Sequence, residues 1–134
     1  STKCLRARCI RALLLRLRQK ALFLMRLFDL FTPYLTGSVL SGSAGPHSDI
    51  NLIVYTDDSK TVELFLIDRQ IDYHYHETSG ETHLANFPTL AFWFDNTPVK
   101  LCVRPKVAER NQPRNEHRAS LHELENLLTP PATA

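Results

Sequence analysis

The sequence predicts an α/β fold: a mixed β-sheet of four to five strands, a long N-terminal helix and short flanking helices. Three observations indicate this class. An uninterrupted helical pattern opens the chain, several short β-prone runs follow it, and turn-forming residues separate those runs. The 134 residues are 43% hydrophobic and 22% charged, as is ordinary for a globular protein. We expect one domain over 1–134, with a basic helix at 4–31, a sheet core at 34–104 and a tail with a short helix at 105–134.

The first predicted element is a helix over residues 4–31. Apolar side chains recur every three or four residues and so share one helix face; they are Ile10, Leu14, Leu17, Ala21, Leu24, Phe28 and Phe31. Pro33 ends the pattern. Leu13 and Leu15 broaden the stripe beyond what one sheet face needs. We therefore expect the helix also to contact a partner, either a second copy in a homo-oligomer or a helical partner protein.

The same segment concentrates positive charge. The net charge of the chain is only +2, yet residues 1–28 hold eight of its 16 basic residues, and the first acid is Asp29. The eight are Lys3, Arg6, Arg8, Arg11, Arg16, Arg18, Lys20 and Arg26. Such residues commonly form a solvated face, but they can also bind nucleic acid. A nucleic-acid partner for this helix is therefore an open alternative.

The next predicted elements alternate between strand and helix. A short β-prone run at residues 34–40 leads into a polar loop that ends near Ser48, and a strand follows at 49–55. Residues 60–69 fit helical and strand spacing equally well. We predict a helix there, because candidate capping residues precede it at 56–59.

The remaining elements are predicted from turn signals. A strand is expected at 70–77, a loop at 78–82 and a β-hairpin with strands at 89–94 and 99–103. Residues 106–119 are polar and are expected to run over the surface. Ser120 and Glu123 have the spacing of a capping box for a last short helix.

Composition also bears on the cellular context. Three cysteines are an odd number in a chain long enough to bury its own core, which favours a reducing, cytoplasmic environment. No apolar run approaches the length of about 18 residues that a membrane-spanning helix needs, so no membrane partner is expected.

One constellation stands above this background. A β-prone run ends in Gly37-Ser38, ten residues intervene, and Asp49-Ile-Asn51-Leu52 opens the next strand. The arrangement resembles the nucleotidyltransferase superfamily, the group of DNA polymerase β and the minimal nucleotidyltransferases. The resemblance implies transfer of a nucleoside monophosphate from an NTP to an acceptor, with Gly37 and Ser38 holding phosphate and Asp49 holding Mg²⁺.

The sequence departs from the family pattern at two carboxylate positions. Asn51 stands where the family has a second Asp, and an amide brings no negative charge to a cation. The third carboxylate has two candidate registers. In one, Asp72 is the acid on the strand after the middle helix; in the other, Lys100 occupies that position on the hairpin's return strand. A Lys100 ammonium beside Asp49 would replace the charge of the metal.

Two functions therefore remain open from the sequence. The first is an active nucleotidyltransferase with Mg²⁺ as cofactor and Asp49, Asn51 and either Asp72 or Lys100 at its catalytic site. The second is a catalytically inactive module on the same fold that serves binding or oligomerisation. The sequence identifies neither the NTP nor the acceptor.

Overall fold

The computed structural model describes residues 2–77, 87–111 and 116–129, with side chains from residue 6 onward. Helix α1 covers Thr2–Leu27 and is followed by a 3₁₀ turn at Asp29–Phe31. The later helices are α2 at Ser38–Ser41, α3 at Ser59–Asp68 and α4 at Leu121–Leu128. The strands are β1 Tyr34–Thr36, β2 Ile50–Tyr55, β3 Tyr73–His76, β4 Thr89–Phe94, β5 Thr97–Arg104 and β6 Arg118–Ser120.

The strands form one mixed sheet in the order β3-β4-β5-β2-β1-β6. Only β2 and β5 pair in parallel, and Ile50 lies opposite Val99 in that register. The predicted class, α/β with a mixed sheet and a long N-terminal helix, is confirmed. The sheet gains a sixth strand because β6, whose first two residues belong to the polar segment expected to run over the surface, pairs with β1.

The hydrophobic core lies between one face of the sheet and the helices. Alternate residues of β2 and β5 point into it, among them Leu52 and Leu101, and α1 covers them with side chains from Leu17 to Phe28. The predicted stripe of α1 is buried only over its second half. Ile10 is 48% exposed, because the first part of the helix extends beyond the sheet.

Several predicted elements are confirmed. The helix at 60–69 is α3, with Asp58 as N-cap: its carboxylate accepts from the backbone N–H of Lys60 at 3.0 Å. The hairpin is β4 and β5. Ser120 and Glu123 form the predicted capping box at the start of α4. The predicted loop at 78–82 lies outside the described residues.

Two predicted strands are wrong at one end. The run at 34–40 leaves the strand after Thr36, because the backbone of Gly37 turns to φ +80°, ψ −156° and α2 starts at Ser38. The strand at 70–77 begins only at Tyr73. Gln70 has a positive φ of 59°, and Ile71 donates its N–H back to the carbonyl of Leu66, so both residues close α3 instead.

Candidate functional site

The site forms at the end of the sheet where β1 stops and β2 begins. Thr36 is the antiparallel partner of Asn51, so Gly37 and Ser38 follow β1 at the end where Asp49 precedes β2. A side chain at Gly37 would place its Cβ 2.8 Å from Nδ2 of Asn51, in a backbone conformation that few other residues adopt. The glycine therefore allows this turn to approach Asn51 closely.

Helix α1 holds the turn in place from the other side. Arg18 donates from Nε to the carbonyl of Val39 at 2.9 Å and from Nη2 to that of Leu40 at 2.8 Å. Burial lowers the pKa of the Arg18 guanidinium from its ordinary value, because desolvation disfavours the charged form. Two carbonyls in the short α2 thus gain a cationic donor, which fixes the position of Gly37 and Ser38.

The loop between α2 and β2 is also hydrogen-bonded. The N–H of Ala44 donates to the carbonyl of Ser38 at 3.2 Å, and Gly45 donates to the hydroxyl of Ser48 at 2.8 Å. In the described part of the chain, the Ser38 hydroxyl itself has no hydrogen-bond partner, and it is half-buried. It is therefore available to a ligand.

Asp49 and Lys100 form an ion pair in this region. Strand β5 lies beside β2, with Lys100 the direct neighbour of Asn51, and Nζ of Lys100 lies 3.1 Å from Oδ2 of Asp49. The Lys100 side chain is 54% exposed and the Asp49 side chain 28% exposed. Pairs this exposed to solvent contribute only about 0–1 kcal/mol to stability, so an anionic ligand can compete for the ammonium.

The other candidate for the third position, Asp72, lies apart. One row of paired residues crosses β3, β4, β5 and β2: Tyr73, Phe92, Val99 and Ile50. Asp72 precedes Tyr73 and Asp49 precedes Ile50, so the two acids lie three strands apart. Neighbouring strands are spaced about 4.8 Å apart, so the two residues are separated by about 14 Å. The structure brings Gly37, Ser38, Asp49, Asn51 and Lys100 together and leaves Asp72 outside.

The assembled side chains do not fit the Mg²⁺ ion that the family resemblance implies. They offer one carboxylate, one amide and one ammonium, and the carboxylate is already paired with the ammonium. Among the described residues no group of three His, Cys, Asp or Glu side chains could hold a metal ion.

A cleft opens beside the glycine turn. Its volume is about 820 Å³, within the usual range for small-molecule sites. Its lining comes from β1 and α2 on one side and from β6, α4 and the residues before β6 on the other; it comprises Thr36, Gly37, Leu40, Ser41, Glu116, His117, Arg118, Ala119, Glu123 and Leu127. Gly37 therefore lies between this cleft and the Asp49–Lys100 pair.

Sequence reasoning missed the wall that β6 contributes. Arg118 packs its guanidinium over the rings of Tyr34 and Tyr55, at 4.2 and 5.2 Å, and donates to the Tyr55 hydroxyl and the Glu109 carbonyl. Burial, together with its hydrogen bond to Glu109, raises the pKa of Tyr34 to about 12. No signal in the sequence marks this cluster, because its members are up to 84 residues apart and meet only through β1–β6 pairing.

Comparisons with known proteins find weak similarity to solved structures. No family model and no curated protein matches the sequence. A solved structure of a cytoplasmic RNA terminal U-transferase is similar to it with a TM-score of 0.42 and 22% identity, over 75% of this chain and 29% of that one. A structure of Cid1, which has RNA terminal uridylyl transferase activity, gives a TM-score of 0.42 and 21% identity, over 78% and 32%. The chain spans about a third of the length of these proteins.

No helix in the described part of the chain is long and apolar enough to cross a membrane.

Proposed function

We propose that this protein is a nucleotide-binding module of nucleotidyltransferase-like fold that binds the phosphates of an NTP without Mg²⁺. The observation that carries the proposal is the Lys100–Asp49 ion pair of 3.1 Å at the glycine turn. A phosphate that approaches Gly37 and Ser38 meets the ammonium of Lys100 where a metal-dependent enzyme would present a cation bound to carboxylates. Transfer of the nucleoside monophosphate is not expected, because the described site residues offer one carboxylate, already paired with Lys100, and so do not fit the metal ion that would activate an attacking hydroxyl.

The steps of binding follow from these groups. The triphosphate accepts hydrogen bonds from the Ser38 hydroxyl and the Lys100 ammonium, and Asp49 loses its partner to the incoming anion. The cleft beside Gly37 has room for the nucleoside. Asp49 thus acts against phosphate binding in this account, whereas it is essential for binding when a carboxylate site holds Mg²⁺.

That difference in sign makes Asp49→Asn the decisive variant. If Lys100 alone attracts the phosphates, the amide frees the ammonium, and affinity for ATP or UTP should rise several-fold in the presence of EDTA. In a metal-dependent site the same change removes the remaining carboxylate ligand, and binding of the Mg²⁺–NTP complex should be lost.

Lys100→Met tests the same site from the other partner. We expect NTP affinity, measured by calorimetry in EDTA, to fall about tenfold, or about 1.4 kcal/mol, because a partly exposed charge-assisted hydrogen bond is removed. Lys60→Met is the matched control, since Lys60 is an exposed lysine on α3 at the opposite end of β2. Equal affinity in the two variants, or binding by the parent only when Mg²⁺ is added, would contradict the proposal.

A further inference from the structure

The first part of helix α1 projects from the protein as a basic arm, which we define as residues 6–12. All seven side chains of the arm are exposed, whereas contacts with the body start at Leu13 and full burial at Leu17. At a rise of 1.5 Å per residue the arm extends about 10 Å. Three of its residues are arginines: Arg6, Arg8 and Arg11.

The arm leaves the body at the end of the sheet that holds the candidate site. Leu14 lies beside Gly42, with its Cδ2 3.8 Å from where a Cβ on that glycine would be. Arg18, one turn later, binds the carbonyls of α2, and Lys20 donates to Thr97 at the start of β5. Residues before Leu14 therefore extend past the glycine turn and the β4–β5 turn.

The arm carries a concentrated positive charge. None of its three arginines forms an ion pair with an acid in the described parts of the chain, and the segment before Asp29 contains no acid at all. Helical residues advance by about 100° each, so the three side chains point in directions about 60°, 140° and 160° apart. A second copy of the same arm would be repelled, whereas a flexible polyanion can contact arginines on several sides.

A second exposed group at this end points to the kind of polyanion. Trp93 is 70% exposed, which is unusual for so large an apolar side chain. It lies on β4, on the same sheet face as Lys100, because Ala91 is the direct partner of Lys100 and Trp93 is two residues further along. Diagonal neighbours of this kind have Cα atoms about 7–8 Å apart. The indole ring of Trp93 is therefore accessible beside the Lys100 ammonium. Proteins that bind single-stranded nucleic acid combine exposed aromatic rings, on which bases stack, with nearby positive charge.

We propose that the basic arm and Trp93 together bind a single strand of nucleic acid. The arginines of the arm contact its phosphates, and one base stacks on Trp93 beside Lys100. Duplex is disfavoured because its bases are already stacked on each other and cannot reach the indole. The arm and Trp93 contribute no residue to the proposed nucleotide site, so this inference does not depend on the nucleotide-binding proposal, although the stacked base lies beside Lys100.

The test measures binding of a mixed-sequence RNA strand of about 12 nucleotides. Trp93 is the only tryptophan of the chain, so quenching of its fluorescence reports directly on stacking. The first variant, Arg8→Gln/Arg11→Gln, removes two charges from the arm. The second, Trp93→Ala, lacks the fluorescent residue, so its binding is measured by the fluorescence anisotropy of a labelled strand. The control is Lys106→Gln/Arg110→Gln, because these exposed residues follow β5 at the opposite end of the sheet.

We expect the arm variant to bind about tenfold more weakly at low salt. Its slope of log K against log salt should be shallower by about 1.4, the value for two lost contacts to a single strand. Trp93→Ala should weaken binding without changing the slope, and the control should match the parent. The arm variant should also keep the parent's affinity for mononucleotides, which separates this inference from the proposed function.

Four results would overturn the inference: no quenching of Trp93 by the strand, equal salt slopes for the arm variant and the control, tighter binding of a duplex of the same length, or displacement of the strand by phosphatidylserine vesicles. The last two would assign the arm to a duplex groove or to a membrane surface. Circular dichroism of the helix confirms that each variant is folded.

Discussion

At the scale of single residues, the close approach of Gly37 and Asn51 sets the backbone geometry of the site. The turn has its positive φ because no side chain occupies position 37, and the amide of Asn51 fills the space where a Cβ would lie. The ion pair between Lys100 and Asp49 then forms on the adjacent strand position. The site therefore depends on one backbone conformation and one close approach.

Gly37→Ala should destabilise the fold by about 1–3 kcal/mol, because alanine is strained at this positive φ and its Cβ would overlap with the Asn51 amide. Gly45→Ala is the control: no atom lies within 4 Å of the added carbon, and the φ of Gly45 is not positive. Urea unfolding measures both changes. If adding Asn51→Ala to Gly37→Ala restores part of the lost stability, the overlap contributes; equal stabilities of the two glycine variants would contradict this account.

At the scale of elements, the cleft beside the site depends on how α4 is attached. The Ser120 hydroxyl accepts from the N–H of Glu123 at 3.2 Å, and the Glu123 carboxylate accepts from the N–H of Ser120 at 3.1 Å. Leu124 in the next turn is fully buried. The capping box thus joins the end of β6 to a helix that packs on α1 and lines the cleft.

Ser120→Ala should lower the free energy of unfolding by about 1 kcal/mol, since it removes the N-cap acceptor. Ser43→Ala, in an exposed loop position, should change it by less than about 0.5 kcal/mol. Both values can be measured by thermal unfolding. A Ser120→Ala protein as stable as the Ser43→Ala protein would show that the cap does not hold α4.

Elements with local signals could be predicted from the sequence. Helix α3 follows its own N-cap, the β4–β5 hairpin is closed by a short turn, and α4 begins with a capping box. Strand β6 could not be predicted, because three residues show no alternation and their partner, β1, is more than 80 residues earlier. The predicted strand extends beyond the end of β1 because residues 38–40 are β-prone, and only the turn at Gly37 directs them into a helix.

The candidate site could be predicted in part for the same reason. The spacing from Gly37 to Asp49 lies within the one segment that connects β1 to β2 and can be seen in the sequence. The choice between Asp72 and Lys100 depends on which strand lies next to β2, and β5 takes that place although β3 follows β2 sooner in the chain. A long-range pairing of this kind leaves no local signal.

At the scale of the whole molecule, α1 connects the core to the end of the sheet where ligands would bind. Its second half is buried against the sheet, Arg18 holds α2, and its first half leaves the body beside the site. Trp93 and the cleft beside Gly37 lie at the same end. One end of the sheet therefore combines the proposed phosphate site with the basic arm.

The central claim is that Lys100 occupies the place of a metal. Calorimetry with Mg²⁺ and Mn²⁺ tests it on the parent, Asn51→Asp and Asn51→Asp/Lys100→Asp. We predict that only the double variant binds metal, because in Asn51→Asp the ammonium still repels a cation by about 4 kcal/mol for each unit of its charge, at 4 Å and an effective dielectric constant of 20. Adding Asp72→Asn to the double variant should change nothing, since Asp72 lies three strands away. Metal binding by the parent or by Asn51→Asp as tight as that of the double variant would contradict the claim.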